Sequence, residues 1–129
     1  MRIVMERQPK HTLIAIHFCV RKVIEKDIPD NKDIGFLMGI LTTIAEIHDK
    51  HNWDKDKLKD LDLDEKEVLA CWHCVRICLD NKLIRNEEKK IFVTRAAFVL
   101  AKHLDEARKE FVRLDEEGKS KGLSLVSDS

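Results

Sequence analysis

Only four glycines and two prolines, Pro9 and Pro29, interrupt a chain of 129 residues. Sheet proteins need more turn residues than that, whereas long helices joined by few connections need little of either. Charged residues make up 37% of the chain, which suits helices with solvated outer faces, so the expected fold class is all-α. With 43% hydrophobic residues there is enough apolar surface for one core, and 129 residues are too few for two ordinary domains.

The apolar spacing places four helices. A first is predicted from Thr12 to Asp27, mostly buried because Leu13, Ile14, Ile16, Phe18, Val20, Val23 and Ile24 cover more than one face; Pro29 ends it. A second follows the cap candidates Asp30 and Asn31 and runs to His51, with Gly35 and Gly39 leaving a groove where another backbone could approach. Asp64 with Glu67 three residues on has the form of a capping box and opens a third helix, Glu65 to Leu83. Asn86 caps a fourth, which reaches Asp115.

Three segments fall outside these helices: an N-terminal arm over residues 1–11, a solvated linker over 52–64 and a disordered tail over 116–129. In the arm, Ile3, Val4 and Met5 could dock on the body. The linker is dense in aspartate, but a calcium loop needs glycine at its sixth position and glutamate at its twelfth. Counting from Asp54 or from Asp60, Lys59 or Cys71 stands there instead.

Laying the third helix on the first with Cys74 over Cys19, a displacement of 55 residues, puts Ala70 on Ala15, Arg76 on Arg21, Asn86 on Asn31 and His103 on His48. The domain over residues 12–115 is therefore read as two related helical hairpins, 12–51 and 65–115, packed as a four-helix bundle. In that arrangement Cys71, Cys74 and Cys78 form one stripe of the third helix. Tetrahedral zinc requires converging sulfurs, and Cys71 and Cys78 lie two turns, roughly 10 Å, apart. Only Cys71 and Cys74 joined by Cys19 and His17 could hold a metal, and no second CxxC pair supports it. The cysteines are assigned to the core; no metal or cofactor is expected.

Reactive chemistry has few candidates. His17, His48, Asp49 and Asp105 resemble, in type and order, the ligands of the HD-domain metal-dependent phosphohydrolases, an all-helical superfamily. The resemblance covers those four residues alone; it implies a divalent metal that activates water for phosphoester attack. The competing reading makes His48 a helix terminator that interacts with the last carbonyls. No nucleophile stands beside a histidine and an orienting group, and no glycine-rich phosphate loop occurs, so the chain is read as non-enzymatic.

Lys and Arg total 24 and so do Asp and Glu, so a polyanion would have to meet a local patch. Arg95, Lys102, Lys109 and Arg113 on the fourth helix are the candidate nucleic-acid contacts, interleaved with glutamates that repel phosphate. Of the seven aromatics, most look committed to packing. The longest apolar run, Leu13 to Val20, is far short of the roughly 20 residues that span a bilayer. A cytoplasmic protein with reduced thiols and no membrane partner is expected.

The fourth helix carries Val93, Ala97, Leu100, Leu104, Ala107, Phe111 and Leu114 in alternating steps of four and three. Nearly twice as long as the first helix, it should overhang the bundle. Leu100, Leu104, Ala107, Phe111 and Leu114 are therefore the expected interface, with a second copy in a homodimer or with another protein of regulatory partnership.

Overall fold

The computed structural model describes residues 2–26, 34–50 and 58–120, the side chains of 48–50 and 110–120 excepted. Along the chain come β1 (Arg2–Gln8), α1 (Lys10–Glu25), α2 (Ile34–Lys50), β2 (Lys59–Asp64), α3 (Glu65–Asp80) and α4 (Glu87–Ser120). The molecule is mostly helical, as the sequence implies, but it is not all-α.

The arm and half of the linker are the exception. β1 and β2 pair antiparallel with Ile3 opposite Leu63 and Met5 opposite Leu61, and a register irregularity lies between Met5 and Gln8. Alternation explains the pairing: Ile3, Met5, Leu61 and Leu63 point inward, at most 6% exposed, while the aspartates of KDLDLD point to water. An isolated two-stranded sheet is marginal in water, so these four inward side chains, buried in the common core with the helices, are what stabilise it. At the edge, Arg2 Nε binds Asp62 Oδ1 at 3.0 Å, and Arg7, with φ 55°, donates its N–H to Asp60 Oδ1 at 2.9 Å.

Local signals set the helix ends. Pro9 precedes α1 as its N-cap, so that helix opens two residues before Thr12. At α3 the capping box is complete: Glu67 N–H donates to Asp64 Oδ1 at 2.9 Å and Asp64 N–H to Glu67 Oε1 at 3.0 Å. Asn86 Oδ1 accepts from the N–H groups of Glu88 and Lys89, which starts α4. α3 ends early, at Asp80, in a Schellman motif. Leu83 N–H reaches the Cys78 carbonyl at 3.0 Å, Lys82 N–H reaches that of Leu79 at 3.3 Å, and Lys82 takes the left-handed position at φ 54°.

α1 and α3 are both 16 residues long, and their bounds differ by the 55 residues of the internal register. All five buried residues of α3, Val68, Cys71, Cys74, Val75 and Cys78, overlie buried residues of α1. The second helices obey a different shift. Leu37, Ile40 and Ile44 of α2 match Val93, Ala96 and Leu100 of α4 at 56 residues, which sets Leu104 rather than His103 over His48. α1 contacts α2, α3 and α4, whereas α2 packs chiefly on α1. Nothing among the described residues approaches the missing Cβ of Gly35 or Gly39, so the groove expected there holds no neighbouring backbone.

α4 continues through Ser120, which makes residues 116–120 helical rather than tail. The cap candidates Asp30 and Asn31, the terminator Pro29, the linker residues 52–57 and the tail 121–129 lie outside the described residues.

Candidate functional site

Cys19, Cys71, Cys74 and Cys78 are free thiols in the core, at most 3% exposed. Cys78 Sγ donates to the Cys19 carbonyl at 3.6 Å, which joins α3 to α1 through a buried polar contact. A side-chain hydrogen bond between the Cys19 and Cys78 thiols, and then burial, hold the Cys19 thiol well above its ordinary value. Burial does the same at Cys71 and pushes Cys74 up to about 12. Thiolate is the nucleophile and the metal ligand, so this environment suppresses both roles at Cys19, Cys71 and Cys74, whereas the side-chain hydrogen bond to Cys19 holds the Cys78 thiol below its ordinary value. Among the described residues no group of three or more His, Cys, Asp or Glu side chains is placed to hold a metal. Because all four sulfurs are buried, Ellman's reagent at pH 8 should leave the native protein essentially unlabelled and titrate all four cysteines once guanidinium unfolds it; rapid native labelling would contradict this burial.

Of the HD-like set, the side chains of His17 and Asp105 alone fall among the described residues. Asp105 lies on the exposed side of α4 in an ion pair with Lys109 at 3.0 Å, and His17 lines a shallow groove on α1 with Ile14, Phe18 and Arg21. The side chains of His48 and Asp49 lie outside the described residues.

The same ion pair bears on the basic stripe of α4. Lys109 is compensated by Asp105, while Arg95 and Lys102 are exposed; the side chain of Arg113 is not described. Of the expected interface, Leu100 and Leu104 are 0% and 7% exposed and belong to the core, so neither has surface left for a partner. Ala107 is half-buried, and the side chains of Phe111 and Leu114 lie outside the described residues. Among the described aromatics, Phe98 departs most from the expectation of packing: it is 73% exposed, with Ile91, 54% exposed, seven residues earlier on the outer face of α4.

A second surface comes from parts of the sequence that show no joint motif. α1 and the first turns of α4 run antiparallel side by side, so that the His11 and Phe92 rings meet at 4.6 Å and Lys89 lies over the Phe18 ring at 5.2 Å. Between them lies an apolar groove of about 380 Å³ whose floor includes Ile14, Phe18, Phe92 and Val93. Burial, and then the charge of Arg95, depress the pKa of His11 at its edge. Past Phe18 the groove gives way to a depression of about 410 Å³ where Lys22 of α1, Lys26 just past its end, Lys82 and Arg85 of the α3–α4 connection and Lys89 of α4 converge, with no carboxylate among the described residues of its lining. The signal was half visible: Ile14, Phe18, Lys22 and Lys26 recur at four-residue steps, one stripe along α1 and its C-cap. Its other wall is brought there only by folding.

No helix among the described residues is long and apolar enough to cross a membrane. Compared with models of known families, with curated proteins and with solved structures, the chain matches none of them.

Proposed function

We propose that the protein is a non-catalytic interaction module of regulatory type, which binds a protein partner and pairs with a second copy through α4. The observation that carries this reading is the outer face of α4, where Phe98 is 73% exposed and Ile91 54% exposed. Two large apolar side chains held in water one heptad apart are stabilised when a second surface covers them. The overhang supports the pairing. α4 has 34 residues against 16 in α1 and α3, and Leu104 is its last core residue among those described. Past that point Ala107, Phe111 and Leu114 continue the apolar stripe along a helix that outruns its neighbours. In this reading the four helices form a bundle of two related hairpins, and buried reduced thiols suit the cytoplasm.

Light scattering tests the pairing. The wild-type chain should run at twice its chain mass and Phe111→Asp at the mass of one chain. A monomeric wild type, or a mass that Phe111→Asp leaves unchanged, removes self-association through α4.

A further inference from the structure

We infer that the furrow between α1 and the start of α4 is a docking site for a peptide segment of another protein that carries apolar side chains beside acidic ones. The inference rests on reading the protein as a binding module, but not on its pairing through α4.

The length of the furrow argues for a peptide. It follows α1 from His11 to Lys26, roughly 22 Å at 1.5 Å per residue, which is the reach of about seven extended residues. Its two ends differ in chemistry. Ile14, Phe18 and Phe92 offer apolar contact at one end, and Ile14 is 49% exposed, so an apolar side chain laid there removes surface from water. A bare acyl chain would lie half in water in so open a groove, whereas a peptide backbone can face solvent.

The other end calls for negative charge. In a chain of zero net charge, five cationic side chains from three segments surround one depression, and among the described residues none of the five is in an ion pair. Of the described acids beside it, Glu25 is tied to Arg21 at 2.8 Å and Glu88 lines the apolar groove. Lys22 and Lys89 lie over the Phe18 ring at 5.7 and 5.2 Å, which holds both ammonium groups at the boundary between the two ends. Lys82 adds an independent sign. At φ 54° it occupies the C′ site of the Schellman motif, where glycine would avoid the strain of a left-handed backbone. Its ammonium adds to the positive charge of the depression from a position fixed by that backbone turn. A nucleic-acid strand would need cations along the whole furrow, whereas in the apolar half Lys89 stands beside Glu88, whose charge repels phosphate.

Fluorescence anisotropy with the full chain tests the proposal, using a labelled peptide with leucine and phenylalanine in one half and aspartates in the other. The expected result is saturable binding, weakened at least about tenfold by Ile14→Asp and by Arg85→Glu combined with Lys89→Glu, all exposed or peripheral positions whose fold is checked by circular dichroism. Lys82→Gly separates docking from folding, because it should raise the melting temperature while weakening the peptide. Peptides with serine for the apolar residues, or lysine for the acids, should bind at least about tenfold more weakly. Equal binding of either control overturns the proposal. So does tighter binding of a single-stranded oligonucleotide lost in the same variants, or peptide binding seen only after residues 121–129 are removed, which would assign the furrow to the chain's own tail.

Discussion

Met5→Asp should leave the protein unfolded at 25 °C, with loss of the helical circular dichroism signal, while Val4→Asp on the neighbouring residue stays folded. Met5 is 0% exposed in β1 opposite Leu61, whereas Val4 is 43% exposed on the outer side of the same strand. An aspartate at position 5 would bury a carboxylate with no cation beside it, or force the strand off the core. Either way the cost is several kcal/mol, out of a total stability of about 5–15 kcal/mol for an ordinary domain. The comparison separates a core strand from a loose arm: an undocked arm would tolerate both substitutions equally, and equal melting temperatures for the two variants would refute the strand's place in the core.

Leu100→Ala should cost about 2–5 kcal/mol, read as a lower midpoint of urea unfolding with little change in slope. Leu100 is 0% exposed on the inner face of α4, so its truncation leaves a cavity as well as lost transfer energy. Phe98→Ala, two residues away but 73% exposed, should move the midpoint by about 0.5 kcal/mol or less. If Leu100 belonged to a contact between copies rather than to the core, its truncation would lower the mass by light scattering and spare the stability of the single chain; that outcome would reverse the assignment made here.

The two variants mark where the sequence was legible. Leu100 sits in an apolar repeat that announces a helix whatever it packs against, because the period of 3.6 residues is a property of the backbone. The capping box at Asp64 and the Asn86 cap were readable for a related reason: each joins atoms within three residues of one another. The strands were not. Residues 2–8 and 59–64 are each too short to stand alone, and their pairing spans more than 50 residues of chain, so KDLDLD reads as a solvated connector until Leu61 and Leu63 find Ile3 and Met5.

The candidate sites divide in the same way. The cysteine stripe was assigned to the core from spacing alone, since three sulfurs along one helix cannot converge on a point. Leu100 and Leu104 read as interface positions and lie in the core, because periodicity locates an apolar stripe without saying where neighbouring helices stop covering it; Leu104 is the last that they cover among the described residues. Of the furrow, one stripe of α1 was visible, but Lys82, Arg85 and Lys89 join Lys22 and Lys26 only when two helices lie side by side.

What the chain order by itself determined were the helices, the caps of α3 and α4, the shift of 55 residues between α1 and α3 and the inward place of the sulfur-bearing face, all of which depend on contacts within a few turns. The sheet, the change of shift to 56 in the second helices, the exposure of Phe98 and the meeting of five cations beside an apolar groove were decided by tertiary structure. These depend on residues distant in sequence becoming neighbours, and no local period records which ones will.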